Sequence, residues 1–276
     1  MGNGINAKIK LSNGVEIPAL GLGVWRVNDE NELRTACKTA LEAGYRHIDT
    51  ASAYNNEDMV GRAIADFADR KNIFITTKLW NADHLNAEAA FERSLKNLRT
   101  DYVDLYLIHW PSQKNDNYPA AWKSLVKIYE SGKARAIGVS NFHKVHIEKI
   151  IGATGVAPHM NQVERHPLLQ QKGLADYCAG LGTAMTAYSP LASGHLGDIA
   201  DKIRPVAEKH GKTAAQVILR WHFQTGWVLI PKSVTPGRII ENAQIFDFEL
   251  DQADMAVIAS IENGSRFLPN PETANF

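Results

Sequence analysis

NIFITTK (residues 72–78) is one of three apolar runs that each read as a β-strand and end in a titratable residue; the others are YRHID (residues 45–49) and VDLYLIH (residues 103–109). Helix-like segments, with apolar residues at i, i+3, i+4 and i+7, separate such runs along the chain. In all, eight apolar runs of strand length occur, around residues 20–24, 46–49, 73–78, 103–109, 134–139, 160–163, 183–188 and 228–231. Apolar strands alternating with helices predict a parallel sheet covered on both faces. Eight such units in about 250 residues match a closed (β/α)8 TIM barrel of the α/β class.

The segment before the first of these runs has a different pattern. KIKLSNGVEIPAL (residues 8–20) alternates apolar and polar residues around Asn13-Gly14, which is a strong hairpin-turn signal. An open doubly wound sheet is the rival architecture, but it usually carries G-x-G-x-x-G after its first strand, and Gly21-Leu-Gly23 is followed by Val-Trp-Arg. We therefore expect one barrel domain over residues 1–276, with a hairpin at about 7–18 and a short tail at about 264–276.

Composition limits the function classes. The 276 residues include 30 basic and 30 acidic side chains, and this balance argues against general affinity for nucleic acid or an anionic membrane. The two cysteines, Cys37 and Cys178, do not form a disulfide framework, which favours a reducing compartment. No apolar run approaches the ~18 residues of a membrane span, and the N-terminus lacks an apolar signal segment, so a cytoplasmic protein is expected.

Polar residues recur at the ends of the predicted strands. Because the carboxyl ends of parallel barrel strands meet at one face, these side chains are expected to lie together. One polar residue at a strand end carries little information, since strand ends meet solvent, but the joint pattern indicates an active site. Seven of the eight strand ends contribute: Asp49, Lys78, His109, Ser140 with Asn141, Gln162, Tyr188 and Lys232.

Three of these positions, Asp49, Lys78 and His109, suggest proton transfer together with Tyr54. The phenol of Tyr54, a few residues beyond the second strand, has an ordinary pKa of about 10. A nearby Lys78 ammonium is expected to lower that pKa, with Asp49 as the counter-ion of the lysine. His109 could hydrogen-bond a substrate oxygen or pass a proton. Three of these residues also have a purely structural interpretation: Tyr54 as a buried tyrosine, Lys78 as a surface charge and His109 as a packed core histidine.

Six motifs follow one another along the chain: GYRHIDTASAYNNE (residues 44–57), ITTKLW (75–80), LYLIHWP (105–111), IGVSNF (137–142), NQVERHP (161–167) and IPKSVTPGRIIEN (230–242). In this order they resemble the aldo-keto reductase family, and within it the bacterial 2,5-diketogluconate and methylglyoxal reductases. The resemblance runs from about Lys8 to Asn263.

The resemblance implies NADPH-dependent carbonyl reduction. Tyr54 would be the general acid, Lys78 its pKa modulator, Asp49 the partner of Lys78, and His109 the residue that orients the carbonyl. Trp25, Trp80, His109 and Trp110 would bind the substrate, and no metal is implied. The residues implied for the cofactor are Gly23, Val24, Trp25, Asp49, Thr50, Ser140, Asn141, Gln162, Tyr188, Ser189, Leu191, Lys232, Ser233, Val234, Thr235, Arg238, Glu241 and Asn242.

Some questions stay open at this stage. Arg165 stands where the family usually has leucine, and it could face solvent or pair with an acid. Substrate choice would depend on the tryptophans and on the loops at 113–118 and 266–269. A Schiff-base aldolase or lyase using Lys78 is an alternative function, and a cofactor-binding redox sensor is another. The family resemblance also implies a monomer.

Overall fold

The computed structural model describes residues 4–112, 114–274 and 276. Residues 1–3, Gln113 and Asn275 lie outside it. The first residues of the expected domain, one end of the 113–118 loop and one residue of the expected tail are therefore not described.

Eight parallel strands form the barrel, and all eight predicted runs overlap them. An antiparallel hairpin of β1 (Lys8–Lys10) and β2 (Glu16–Pro18) precedes the barrel, as predicted. The barrel strands are β3 (Leu22–Gly23), β4 (His47–Asp49), β5 (Phe74–Leu79), β6 (Val103–Ile108), β7 (Ala134–Ser140), β8 (Met160–Glu164), β9 (Ala184–Tyr188) and β10 (Val228–Ile230).

Strand order follows the chain from β3 to β10, and the two outer strands meet through short bridges. Leu20 pairs with Leu229 and Gly23 pairs with Lys232, both in parallel. The amide of Gly21 donates to the carbonyl of Leu229 at 2.9 Å across the same line. The sheet therefore closes on itself, which confirms the (β/α)8 prediction.

Helices surround the sheet and bury the apolar stripes that the sequence indicates. They are α1 (Glu30–Glu42), α2 (Glu57–Phe67), α3 (Ala87–Leu98), α4 (Tyr118–Glu130), α5 (Lys144–Thr154), α6 (Lys172–Gly180), α7 (Gly197–His210), α8 (Ala214–Gln224), α9 (Pro236–Ala243) and α10 (Gln252–Ala259). Short 3-10 turns cover Ser52–Tyr54, Arg70–Asn72, Asn81–Asn86 and Ala192–Gly194.

Local signals explain where several helices begin and end. The Asp29 carboxylate accepts the amide of Glu32 at 2.9 Å and so caps α1. Gly44 follows that helix with φ of 99°, a left-handed conformation that glycine adopts without steric cost. Thr213 and Gln216 form a reciprocal capping box at the start of α8.

The hairpin packs against apolar side chains at the amino-terminal end of the barrel. Leu11 and Ile17 belong to one buried cluster with Leu105, Met160 and Val228. The amino-terminal end of the barrel is thereby filled, and the carboxyl ends of the strands form the open end. Within the described residues, no helix has the length and apolar character needed to span a bilayer.

Candidate active site

A cleft of about 1430 Å³ lies at the carboxyl ends of the strands. Residues from almost every predicted strand end line it, together with Tyr54 from the 3-10 turn after β4. The predicted residues on its walls are Gly23, Trp25, Asp49, Tyr54, Trp80, His109, Trp110, Ser140, Asn141, Gln162, Tyr188, Ser189, Leu191 and Lys232.

Lys78 and Asp49 form a buried ion pair at the bottom of this cleft. The Nζ of Lys78 lies 2.5 Å from Oδ1 of Asp49 and 2.8 Å from the carbonyl oxygen of Thr50. Neither side chain is more than 5% exposed. The other carboxylate oxygen of Asp49 accepts the amide of Gln162 at 2.7 Å. Burial lowers the pKa of Lys78, and the negative charge of Asp49 opposes that shift.

Tyr54 approaches this pair from the 3-10 turn. The hydroxyl of Ser52 donates to the carbonyl of Lys78 at 2.9 Å and so ties the turn to β5. Asn55 ends the turn in a left-handed conformation, with φ of 55°. As a result, the phenol oxygen of Tyr54 lies 3.5 Å from Nζ of Lys78.

The net shift of the Tyr54 pKa is upward, whereas the sequence led us to expect a lowered pKa. Burial raises the pKa of Tyr54 well above its usual value, and the carboxylate of Asp49 raises it further. The ammonium of Lys78 is engaged by Asp49, so its influence on the phenol is offset. Tyr54 is therefore a protonated phenol at neutral pH.

His109 completes the cluster. Its ring packs edge-to-face with the rings of Tyr54 and Trp80, with centroids 5.6 and 5.2 Å away. Burial, and then the charge of Lys78, lower the pKa of His109 well below its usual value. The imidazole is therefore neutral at physiological pH and can donate or accept a hydrogen bond, but it is not a store of positive charge.

Hydroxyl and amide groups form a network on the wall beside the cluster. The hydroxyl of Ser140 donates to the carbonyl of Gln162 at 2.9 Å, and the amide of Asn141 donates to the hydroxyl of Ser140 at 3.1 Å. Tyr188 donates to the side-chain oxygen of Asn141 at 2.6 Å. Asn141 also adopts a left-handed conformation, with φ of 64°, which turns its side chain toward these partners. Four residues predicted to bind a cofactor thus lie together, with Gln162 contributing its backbone carbonyl to this network.

The predicted phosphate-binding segment begins at the edge of the cleft. Lys232 bridges to Gly23 there, and the segment continues into the first turn of α9. Lys232 and Arg238 are exposed and form no ion pair with any described residue. Thr235 is the N-cap of α9, but its side chain makes no capping bond. Eight predicted cofactor residues lie outside the walls of the cleft: Val24, Thr50, Ser233, Val234, Thr235, Arg238, Glu241 and Asn242.

Two of these eight residues, Val24 and Thr50, form hydrogen bonds that hold the backbone next to the site. The amide of Val24 donates to the carbonyl of Asp49 at 3.2 Å, and the hydroxyl of Thr50 donates to Asn56 at 2.7 Å. Glu241 already accepts the hydroxyl of Thr213 at 2.7 Å. Asn242 is buried.

The aromatic wall contains a residue that the sequence did not indicate. The ring of Phe276 stacks on Trp80 at 5.7 Å and meets the edge of Trp110 at 5.1 Å. The amide of Asn81 donates to the carbonyl of Phe276 at 2.7 Å. Only the return of the chain to the cleft creates this contact, so no local pattern could have revealed it.

The two loops expected to shape the pocket behave differently. Phe267, Leu268 and Pro269 line the cleft, whereas residues 114–118 do not. His195 and Arg26 also line it, and neither was predicted.

Arg165 follows neither of its two expected alternatives. It is 4% exposed, and its guanidinium lies between the rings of Trp221 and Trp227 at 3.8 and 4.3 Å. Its Nη1 donates to the ring of His222 and to the hydroxyl of Thr225. Burial lowers the pKa of Arg165 to about 9. Arg165 thus fastens β8 to α8 behind the sheet.

Within residues 4–112, 114–274 and 276, no group of three or more His, Cys, Asp or Glu side chains is arranged to hold a metal ion.

Comparison with known proteins agrees with this geometry. The model of the aldo/keto reductase family matches residues 19–263. The chain is 50% identical to the glyoxal reductase of Bacillus subtilis (strain 168), covering 97% of each protein. It is 47% identical to the methylglyoxal reductase DkgA of Escherichia coli (strain K12), covering 96% of each. The crystal structure of a Gox0644 mutant in complex with NADPH superposes with a TM-score of 0.94 at 40% identity, covering 98% of this chain and 99% of that one. This protein therefore belongs to the aldo/keto reductase family.

Proposed function

We propose that this protein reduces small aldehydes or keto sugars to alcohols with NADPH, with Tyr54 as the general acid. One observation carries the proposal: a phenol, an ammonium, a carboxylate and an imidazole meet at the base of a large cleft. Tyr54 lies 3.5 Å from Lys78, and Lys78 lies 2.5 Å from Asp49. The names of the relatives favour substrates of the size of methylglyoxal or glyoxal. The resemblance of the sequence motifs to 2,5-diketogluconate reductases adds keto sugars as candidates.

The residues present fit a phosphorylated dinucleotide. Ten of the eighteen residues implied for the cofactor line the cleft. Ser140, Asn141 and Gln162 would hold the nicotinamide carboxamide, and the ring of Tyr188 would stack on the nicotinamide. Ser189 and Leu191 would border the pyrophosphate. The 2′-phosphate would meet Lys232, Arg238 and the uncapped first turn of α9, where backbone N–H groups favour an anion.

When bound, reduced nicotinamide supplies a hydride to the carbonyl carbon. The neutral imidazole of His109 would donate a hydrogen bond to the carbonyl oxygen and orient it. Tyr54 would give its proton to that oxygen as negative charge develops there. An alkoxide is far more basic than a phenolate, so the raised pKa of Tyr54 does not prevent this transfer.

Lys78 would act as the proton leaves Tyr54. The phenolate would then face an ammonium 3.5 Å away, in surroundings with little water to screen the attraction. Asp49 keeps that ammonium charged and in place. The ion pair would therefore stabilise the charge that Tyr54 acquires in the transition state.

A Schiff-base role for Lys78 has weaker support. Burial lowers its pKa, which would favour a nucleophilic amine. However, Lys78 is fully buried, and its Nζ is held by Asp49 and by the carbonyl of Thr50. Substrate carbon would have to pass Tyr54 to reach it. A sensor without turnover would not need the proton donor.

Purified protein mixed with NADPH and methylglyoxal tests the proposal directly. Loss of NADPH absorbance should follow saturation kinetics, and NADH should bind and react more weakly. Equal use of NADH would contradict the expected role of Arg238. Borohydride should trap no substrate on Lys78. Substrate trapped on Lys78 without consumption of NADPH would replace reduction by the aldolase mechanism, and binding without turnover would favour the sensor.

The remaining expectations belong to the same proposal: one barrel domain that acts as a monomer in the cytoplasm. Size-exclusion chromatography with light scattering should give the mass of one chain. A stable dimer would contradict it.

A further inference from the structure

The β9–α7 loop, residues 189–196, borders the part of the cleft assigned above to the pyrophosphate. Ser189, Leu191 and His195 from this loop line the cleft. Ser189, Ala192 and Ser193 have φ of 46, 53 and 52°, a left-handed conformation that residues other than glycine seldom adopt. Such a backbone persists when contacts from outside the loop hold it.

Phe267 provides one such contact from a distant part of the chain. Its ring stacks on the ring of His195 with centroids 4.4 Å apart and planes 8° from parallel. The ring of His166, after β8, also contacts Phe267, with centroids 5.1 Å apart and planes tilted by 47°. Phe267 therefore joins the β9–α7 loop to the end of β8.

A buried carboxylate fixes the position of Phe267. Glu164, the last residue of β8, has a fully buried side chain. Its oxygens accept the backbone amides of Phe267 at 2.7 Å and Leu268 at 3.4 Å. His166 at 3.1 Å and the guanidinium of Arg266 at 3.4 Å complete its partners. Four donors on one buried carboxylate make a strong anchor for the segment.

We propose that Phe267 is a positioning residue that holds the β9–α7 loop against the bound dinucleotide through His195, and that Glu164 anchors it. The inference rests on the proposed use of NADPH. Phe267 itself lines the cleft, so the same anchor sets one wall of the substrate space. Release of the nucleotide would require the two rings to part.

Release of NADPH, measured by stopped-flow fluorescence with excess NADP+ as competitor, tests this. His195→Ala should speed release by about 2- to 10-fold, the range expected from an aromatic stacking contact. His195→Phe keeps a flat ring and should restore slow release. Glu164→Gln, which keeps the shape of the side chain but removes its charge, should also speed release.

Three comparisons keep the test specific. Phe267→Leu combined with His195→Ala should release NADPH no faster than the faster single variant, because both changes remove one contact. Glu272→Ala removes the 2.7 Å contact between Glu272 and His143, in the same terminal segment but away from the loop, and should leave release unchanged. Urea unfolding of each variant reports any loss of fold.

The outcomes separate the two proposals. If a folded His195→Ala variant released NADPH at the wild-type rate, the proposed role of the stacking contact would be overturned. The same would follow if His195→Phe accelerated release as much as His195→Ala. Neither result would affect the proposal that the protein binds NADPH. Additive acceleration in the double variant would also overturn the role of the contact. Failure of the wild-type protein to bind NADPH at all would overturn the proposed function and this inference together.

Discussion

Lys78 Nζ donates to Asp49 Oδ1 across 2.5 Å, and water reaches neither group to any significant extent. A buried charge without its partner is strongly unfavourable, whereas the paired charges together are tolerated. Asp49 therefore contributes to stability as well as to chemistry. The two contributions can be measured separately.

Asp49→Asn should destabilise the fold by about 3–5 kcal/mol, because it leaves Lys78 as an unpaired buried cation. Urea unfolding followed by tryptophan fluorescence measures this. Adding Lys78→Met should recover much of the loss, since the buried charge is then removed, but it should not restore reduction. A loss below about 1 kcal/mol for Asp49→Asn would mean that water enters the site and solvates the ammonium.

Tyr54→Phe should lower kcat by about 10²- to 10⁴-fold, the usual contribution of a positioned proton donor. The affinity for NADPH should stay within about twofold, since the rest of the wall is unchanged. Rates of methylglyoxal reduction and fluorescence titration measure the two quantities. Tyr177→Phe, a change of the same size on α6 outside the cleft, should retain full activity. Near-normal kcat in Tyr54→Phe would assign the proton to another donor.

Arg238→Ala should weaken NADPH binding by roughly 10- to 100-fold and leave NADH binding nearly unchanged. The reason is that a charge-assisted hydrogen bond to the 2′-phosphate contributes about 1.5–3 kcal/mol. Titration with both nucleotides at low salt provides the comparison, and Arg204→Ala on the exposed surface of α7 serves as the control. Equal weakening for NADH would locate Arg238 elsewhere on the cofactor.

His84→Leu should make the protein more resistant to acid. His84 is 2% exposed, and burial lowers its pKa to about 4. The unfolded chain, with a histidine pKa near 6.5, binds more protons between these values, so stability falls as the pH drops below about 6.5. At pH 5 this single group costs about 2 kcal/mol.

Urea unfolding of wild type and His84→Leu at pH 7.5 and at pH 5 tests that expectation. The variant should gain about 2 kcal/mol relative to wild type on going from the higher to the lower pH. The other buried histidines are common to both proteins, so their contributions to the pH dependence of the unfolding free energy cancel in the difference. If the difference in unfolding free energy between the two proteins were the same at pH 7.5 and pH 5, His84 would be protonated in the folded state at pH 5.

Phe276→Ala should widen the substrate space, because the ring of Phe276 covers Trp80 and Trp110. KM for methylglyoxal should rise by about 2- to 10-fold. The kcat/KM for benzaldehyde should increase relative to the kcat/KM for methylglyoxal. Leu85→Ala, at an exposed apolar position outside the cleft, should change neither value. An unchanged preference would show that substrate does not contact Phe276.

Much of the fold could be predicted from local patterns. Apolar runs of strand length alternate with helices, and this alternation predicted the closed barrel that the structure shows. Asp49, Lys78 and His109 lie at the carboxyl ends of three neighbouring parallel strands, where Asp49 is paired with Thr76 and Lys78 with Leu107. These relationships depend on spacing along the chain, and spacing is visible in the sequence.

Other properties depend on depth and on distant contacts. The pKa of Tyr54 rises because the phenol is buried and faces Asp49, and the sequence gives the neighbours of a group but not its exposure to water. Arg165 resembles a surface charge until the fold brings Trp221 and Trp227 around it. Phe276 reaches the cleft only because the terminal segment turns back over the barrel. In each case the deciding partner is distant in sequence.

The bridges that join Gly23 to Lys232 and Leu20 to Leu229 make a narrow seam between the earliest and the latest strands of the sheet. That joint forms only when β3 and β10 meet, and it closes the ring of strands. A nucleotide lying over Gly23 and Lys232 would contact both sides of this junction and hold them together. Unfolding that starts by parting these two strands would then be slowed by the coenzyme, and protease resistance near the seam would report its occupancy.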